Sequence, residues 1–153
     1  FSKLAVVLLM LVQFFALFNL AIYLSAVVPY LLVGGVAYPQ APIPWPAFLK
    51  DDMLYFVDCL PIVAAQYMIS LRFSSFLVPV GMGFVVWVGA LAALSWKFGF
   101  AIPYTYCMLN YLKDDPSGKT AIPPVDIHAM AVGYFILFTI AGYWLFVTKP
   151  QKG

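Results

Sequence analysis

The chain has 153 residues, of which 65% are hydrophobic, 18% aromatic and only 9% charged. Soluble domains carry about 25% charged residues, so this composition excludes both a soluble globular enzyme and a disordered segment. The mean hydropathy of +0.97 indicates a protein embedded in lipid. The net charge of +2 is too small to indicate binding to nucleic acid.

The first apolar run extends from residue 4 to residue 28 and ends before Pro29. About 20 apolar residues are enough to cross a bilayer, so this run predicts the first transmembrane helix. It is too long for the apolar core of a signal peptide, which has about 7 to 15 residues. Because the sequence opens on Phe1-Ser2-Lys3, we interpret it as part of a longer protein.

A segment rich in turn-forming residues follows from 29 to 52, with Gly34-Gly35, several prolines and the charged residues Lys50-Asp51-Asp52. Its composition predicts an irregular loop without helix or strand. The apolar runs 53–71 and 76–96 predict the second and third transmembrane helices. Because so few residues separate these two runs, we expect them to form a tight antiparallel hairpin.

An aromatic stretch from 98 to 112 is too short to cross a bilayer and contains Pro103. We predict a re-entrant or interfacial segment here, with aromatic side chains at the level of the lipid headgroups, namely Trp96, Tyr104, Tyr106 and Tyr111. The last apolar run, 129–148, predicts the fourth transmembrane helix. The predicted fold is therefore an all-α integral membrane protein. It is a single transmembrane domain over 1–153, with four transmembrane helices and a short aromatic segment before the last one.

The basic residues predict the orientation of these helices. Four crossings place Lys3, Arg72, Lys149 and Lys152 on one side with no acidic residue, whereas all the aspartates belong to the other side. Lys and Arg are enriched in cytoplasmic loops near the ends of spans. The other side also carries four lysines, so the prediction that both termini are cytoplasmic rests on the proximity of the first four bases to the span ends and on the resemblance described below.

One tripeptide resembles part of a nucleotide-binding motif. Gly118-Lys119-Thr120 has the last residues of a phosphate loop, but Lys113 stands where that loop needs its first glycine. The prolines of Ile122-Pro123-Pro124 follow in place of the required helix. We interpret this segment as a polar turn, so any ATP hydrolysis is expected on another protein.

Metal chemistry also lacks its usual residues. The chain has a single histidine, His128, and only two cysteines, Cys59 and Cys107, which do not have the spacing of a redox or zinc motif. We therefore expect no metal and no cofactor. His128 is interpreted as a hydrogen-bonding residue at the membrane surface.

Asp58 lies about two turns inside the predicted second span, where an unpaired carboxylate costs a few kcal/mol. Such an acid is a candidate for a transport pathway. It is also only about 9 Å along the helix from Asp52, so hydration near the membrane surface is the alternative explanation. The other candidate residues for a transport path or for helix packing lie farther along the hairpin and are Gln66, Ser70, Arg72, Gly81 and Gly83.

Four of these five residues also have explanations that need no substrate. Gln66 and Pro61 lie in the same predicted helix. A polar contact of Gln66 with another helix, or a kink of this helix at Pro61, would explain both residues without a substrate. Glycines such as Gly81 and Gly83 let helix backbones approach closely in lipid. Arg72 is either a signal for topology or a residue that couples the span to a partner.

The order of these features resembles one family of transporters. The segment 60–73, which includes Gln66, Ser70 and Arg72-Phe73, is followed by Phe76, Pro79, Gly81 and Gly83. Other matching features are Pro44-Trp45, Ile102-Pro103-Tyr104 and Gly133-Tyr134-Phe135. This pattern resembles the permeases of type-2 ABC exporters, in the bacitracin- and lantibiotic-immunity-like branch.

The resemblance implies a six-span subunit of the bacterial cytoplasmic membrane, of which this chain would hold the last four spans. Such a subunit pairs with a second permease copy and with separate ATPase subunits, and it exports a hydrophobic or amphipathic compound. It is not itself an enzyme. The alternative from the residues alone is a small accessory subunit of a respiratory or photosynthetic membrane complex, with aromatic side chains against lipid, quinone or pigment.

Overall fold

A computed structural model describes residues 2–33, 35, 37–38, 44–75, 77–113 and 125–148. All regular structure in these ranges is helical, as the composition predicts. The chain divides into two compact units, Phe1–Phe56 and Val57–Gly153. Three of its helices are long and apolar enough to cross a membrane, over Lys3–Leu32, Trp45–Arg72 and Ile127–Thr148.

Helix α1 (Ser2–Leu32) continues past Pro29, where we expected the first span to end. A proline removes only its own N–H donor, and the next turn is intact because the Val33 N–H donates to the Pro29 carbonyl at 2.9 Å. Nearly all side chains of α1 are exposed and apolar. A helix with this surface requires lipid or another protein around it.

Helix α2 (Trp45–Arg72) begins eight residues earlier than predicted. Our prediction that residues 29–52 contain no helix is therefore wrong for the part from Trp45 onward. Pro46 falls in the first turn, where no N–H partner is needed, and the Pro44 carbonyl accepts the Phe48 N–H at 3.1 Å. The prolines that indicated a loop thus include one that starts a helix.

In the first unit, α1 and the first turns of α2 meet through one polar and two aromatic contacts. The Asn19 side-chain amide donates to the Asp52 carboxylate and to the Phe15 carbonyl. Phe15 lies edge-on to Phe56, and Tyr23 lies against Trp45 with 6.1 Å between ring centroids. This partly buried amide and carboxylate satisfy part of each other's hydrogen-bonding requirement inside an apolar unit.

Helix α3 (Leu77–Ala93) follows α2 after a four-residue connection. Gln66 lies six residues before the end of α2, and Gly83 lies six residues after the start of α3. The Gln66 amide contacts the backbone at Gly83. Because these two residues are equally far from the connection, the contact is the one expected of two antiparallel helices in a hairpin. The predicted hairpin is confirmed.

The chain turns sharply after α3, which ends earlier than the predicted residue 96. Three-residue turns replace the helix, with Trp96 N–H donating to the Ala93 carbonyl and Gly99 N–H to the Trp96 carbonyl. Two short 3-10 helices, Gly99–Ala101 and Pro103–Thr105, then lead into α4 (Tyr106–Leu112). The predicted aromatic segment 98–112 is therefore a set of short helical turns, and the turn at Pro103–Thr105 packs against α3.

Helix α5 (Ile127–Thr148) begins two residues before the predicted position. The Asp126 carboxylate caps it by accepting the backbone N–H of His128 at 2.9 Å. Farther along, Gly142 lies against the Met68 backbone, since a Cβ at Gly142 would be 3.7 Å from the Met68 Cα. His128 contacts the earlier part of α2 at Asp58, so α2 and α5 run parallel.

The core of the second unit lies where α4 meets α5. It consists of Tyr106, Leu109, Ile127 and Ala131, all buried, with partly buried side chains from α2 and from the turns after α3 around it. The Tyr134 hydroxyl donates to the Ala101 carbonyl at 2.9 Å. Tyr106 is fully buried and therefore does not present its side chain to lipid headgroups, whereas Trp96 and Tyr111 are exposed.

Several predicted features lie outside the described residues. They are the polar turn with Gly118-Lys119-Thr120, the basic residues Lys149 and Lys152, and Phe76. The predicted orientation of the termini thus remains a prediction.

The turn after α3 makes a prediction about two glycines. A Cβ at Gly99 would collide with the Ala93 carbonyl, which is backbone and cannot rotate away, whereas a Cβ at Gly89 meets nothing within 4 Å. Gly99→Ala should therefore destabilise the protein by about 1–3 kcal/mol. Gly89→Ala, inside α3, should leave stability unchanged or raise it by up to about 1 kcal/mol.

Thermal unfolding of the two variants in the same detergent measures this difference. Equal unfolding temperatures for both variants would contradict the close approach of Gly99 to the end of α3.

Candidate functional site

Asp58 and His128 form the most buried charged contact in the described part of the chain. The His128 Nδ1 and the Asp58 Oδ1 lie 2.9 Å apart, and they join α2 to the first turn of α5. Asp58 has no exposed side-chain surface, whereas His128 retains 23%. An ionised carboxylate accepts but does not donate, so in that state the Nδ1 carries the proton of this hydrogen bond.

Two residues of the α4 region complete the surroundings of this carboxyl group. The side chain of Asn110, on α4, is buried and interacts with the Asp58 carboxyl. Lys113, directly after α4, contributes its positive charge at longer range. Asp58 therefore receives polar contacts from α4 and α5 at once, and these three helices share one polar cluster, which we define as Asp58, Asn110 and His128.

Two buried oxygens beside this polar cluster keep unused hydrogen-bonding capacity. Within the described residues, neither the Asp58 Oδ2 nor the Tyr106 hydroxyl has a hydrogen-bond partner. Burial raises the pKa of Tyr106 far above its usual value, and the nearby Tyr134 and Asp58 add to this shift. The Tyr106 hydroxyl thus stays protonated at neutral pH and remains able to donate.

The expectation that Asp58 is hydrated near the membrane surface is wrong for this structure. It rested on a second span beginning at residue 53, whereas α2 begins at Trp45 and buries Asp58 near its middle. The expectation that His128 is a hydrogen-bonding residue is confirmed, and its partner is Asp58. Charged groups buried among apolar helices are paired because the unpaired charge is costly there.

A second polar contact joins α2 to the turn after α3. The Gln66 Nε2 donates to the Tyr104 hydroxyl at 2.9 Å, beside Gly83 of α3. A side chain at position 83 would occupy the space of the Gln66 amide. Burial raises the pKa of Tyr104, although its hydrogen bond with Gln66 opposes this shift, so Tyr104 is a neutral hydroxyl.

An apolar cavity of about 240 Å³ lies between α2, α3 and the segment 104–108. Its walls are Ile62, Trp87, Ala90, Leu91, Leu94, Tyr104, Thr105, Cys107 and Met108. Thr105 closes one side by donating its hydroxyl to the main chain of the preceding turns. The cavity therefore has an apolar interior with polar groups at Tyr104 and Cys107, as in many sites for small apolar ligands.

The polar cluster and the cavity are connected by two cysteines. Cys59 follows Asp58 on α2, and its Sγ lies 3.5 Å from the Sγ of Cys107, which lines the cavity. Both thiols are free and partly buried. No group of three or more His, Cys, Asp or Glu side chains within the described ranges is arranged to hold a metal ion.

The remaining candidate residues lie elsewhere. Ser70 is exposed and donates to the Tyr67 carbonyl of its own helix at 2.7 Å, and Arg72 is exposed at the end of α2. Gly81 is exposed, and a Cβ there would meet nothing within 4 Å. The structure thus joins Gln66 with Gly83 and places Asp58 in a separate cluster.

Neither the Asp58–His128 contact nor the roles of Asn110 and Tyr106 beside Asp58 were predicted from the sequence. One signal was available for the contact, because the predicted second and fourth spans run in the same direction and each has a polar residue near its predicted start. No comparable signal identified Asn110, which occurs in an apolar stretch without a recognisable motif.

The chain matches no known family model, no curated protein and no solved structure in the comparisons with known proteins. Its function must therefore be argued from its own residues.

The Asp58–His128 contact makes a quantitative prediction. His128→Ala removes the partner of a fully buried carboxylate and should destabilise the protein by about 3–5 kcal/mol. Asp58→Asn in the His128→Ala background removes the charge and should restore part of that loss. A double-mutant cycle by denaturant unfolding in detergent should give a coupling of about 1–3 kcal/mol, and additive effects would contradict the contact.

The Gln66–Tyr104 contact makes a second prediction, with a matched glycine as its control. Gly83→Ala should displace the Gln66 amide from Tyr104 and cost about 1–3 kcal/mol, since a buried polar group loses its partner. Gly81→Ala, two residues away on the same helix, gains the same helix propensity without a clash. The difference in unfolding free energy between Gly83→Ala and Gly81→Ala therefore measures the loss of the Gln66–Tyr104 contact without the shared gain in helix propensity.

The same pair of variants in a Tyr104→Phe background provides the internal test. The hydrogen bond is already absent there, so the difference between Gly83→Ala and Gly81→Ala should shrink. An unchanged difference would mean that the cost arises from packing at Gly83 alone.

Proposed function

We propose that this chain is a membrane-spanning permease subunit of an ATP-driven exporter. Its cargo is a hydrophobic or amphipathic compound, and ATP is hydrolysed by a separate subunit. The observation that carries the proposal is the polar cluster, in which Asp58 and Asn110 are buried and His128 is partly buried, together with an apolar cavity in the same unit of apolar helices. Ionisable residues inside such helices are costly, and they usually mark a path for a substrate or ion.

The arrangement of helices supports four crossings. Because α2 and α5 run parallel and α3 runs antiparallel to α2, we propose that α3 returns the chain across the bilayer. Its 17 residues measure about 25 Å, slightly less than the hydrocarbon core of about 30 Å. In this proposal the turns after α3 complete the crossing, and the segment 98–112 lies at the outer side as a re-entrant or interfacial element.

The cavity suits a cargo with both apolar and polar parts. Trp87 and Met108 offer apolar contact area, while Tyr104 offers a hydroxyl group. Aromatic side chains bind apolar groups with large contact areas, and Met adapts to irregular shapes. The Tyr104 hydroxyl would receive the polar end of an amphipathic molecule, and no covalent chemistry is required of the cavity residues.

The exposed apolar surfaces support partners within the membrane. Much of α3 is exposed, including Leu77, Phe84 and Val85, as is the outer face of α5. In the proposed assembly a second permease copy and lipid cover these faces. Both termini are on the cytoplasmic side of a bacterial cytoplasmic membrane, where the basic residues lie near the span ends.

The partner is tested by isolating the complex from native membranes in a mild detergent and identifying its subunits by mass spectrometry. We expect a second permease copy and a soluble subunit with a complete phosphate loop. Recovery with electron-transfer subunits alone would contradict an exporter and would indicate the accessory subunit of a respiratory or photosynthetic complex.

The cavity is tested on the reconstituted complex through ATPase activity stimulated by the cargo. Trp87→Ala removes an aromatic wall and should raise the cargo concentration for half-maximal stimulation by roughly 5- to 30-fold. Trp144→Ala is the matched control, because Trp144 is exposed on α5 and does not line the cavity. Equal effects of the two variants would contradict cargo binding in this cavity.

A further inference from the structure

Cys59 and Cys107 face each other across two helices, although 48 positions separate them in the chain. Their Sγ atoms lie 3.5 Å apart, with Cys59 on α2 and Cys107 on α4. They are the only cysteines of the chain. Two thiols in direct contact can be joined covalently without a third group, unlike a lone cysteine.

The contact is close to what a disulfide requires. A disulfide bond is about 2.05 Å long, so the two sulfur atoms need to approach by about 1.5 Å. Each sulfur moves with a single side-chain torsion, which allows small approaches without a change in the helices. Both side chains keep part of their surface exposed, and Cys107 lines the cavity, so a small oxidant has a route to the pair.

We propose that Cys59 and Cys107 form a reversible intramolecular disulfide between α2 and α4. In the forward step, one thiol loses its proton and its sulfur attacks a disulfide-bearing oxidant, which releases one thiol of that oxidant. The second cysteine then displaces the other half of the oxidant, with loss of its proton. The new S–S bond thus forms as the oxidant, having taken up two electrons and two protons, becomes two thiols.

The position of this bond gives it a structural consequence. α4 carries Asn110 and Tyr106, which lie beside Asp58, the residue directly before Cys59. A disulfide would fix α4 to α2 at the junction of the polar cluster and the cavity. This inference does not depend on the identity of the cargo or on the ATPase partner.

The test uses the full chain in native membranes. Membranes are treated with dithiothreitol or with diamide, a diazene that accepts two electrons and two protons from a dithiol. The protein is then denatured, and its free thiols are labelled with a maleimide that carries a polyethylene glycol chain and shifts the protein on a gel. We expect two labels after reduction and none after diamide, with the oxidised protein remaining a monomer on a non-reducing gel.

Cys59→Ser and Cys107→Ser are the matched controls, since each retains one of the two thiols. Each should carry one label both before and after diamide. Mass spectrometry of the digested wild-type protein should identify a cross-linked pair of peptides that contain positions 59 and 107.

Three results would overturn the proposal. They are two labels on the wild type after diamide, loss of the single label in the serine variants, and a disulfide-linked dimer in place of the monomer. The first would mean that the thiols do not meet, the second that each reacts alone, and the third that they pair between chains.

Discussion

A carboxyl group without any exposed surface must either lose its charge or have that charge balanced inside the protein, and Asp58 imposes this constraint on its whole unit. Its Oδ1 contacts His128 at the start of α5, and its carboxyl interacts with Asn110 on α4. Removal of one partner would leave a buried charge, which costs several kcal/mol in an apolar surrounding. The positions of α4 and α5 relative to α2 therefore depend on this one side chain.

The short helix α4 also depends on apolar packing. Seven residues are too few to form a stable helix alone, because the cost of the first turn is recovered only over a longer length. Tertiary contacts supply the stability that the isolated helix lacks. Tyr106 and Leu109 are buried against α5, and the Tyr134 hydroxyl donates a hydrogen bond to the Ala101 carbonyl. The aromatic segment is thereby part of the core of this unit.

The lengths of the apolar runs predicted the helices well, because a long run of apolar residues bounded by charges or prolines has few alternatives in lipid. The ends were less predictable. Pro46 and Asp126 start helices, yet prolines and aspartates also occur in loops, so the sequence did not distinguish the two roles at those positions. Both helices consequently begin earlier than expected.

The candidate site was only partly predictable for a related reason. Asp58 and Gln66 stand out in apolar runs, and both make buried or partly buried polar contacts. Their partners lie 70 and 38 positions away, which no local pattern encodes. The burial of Tyr106 was not predicted because an aromatic residue serves equally well at a membrane surface and in a core.

The Asp58–His128 contact can be measured by nitrogen NMR of the protein labelled with ¹⁵N-histidine, in detergent or lipid, because His128 is the only histidine. We expect one imidazole spin system whose Nδ1 resonance reports a hydrogen bond to a carboxylate. We also expect that Asp58→Asn shifts this resonance in protein that remains folded, while Asp126→Asn, beside the backbone of His128, leaves the ring signal nearly unchanged. Identical imidazole spectra for the wild type and Asp58→Asn would contradict the contact on which the proposed arrangement of α2, α4 and α5 depends.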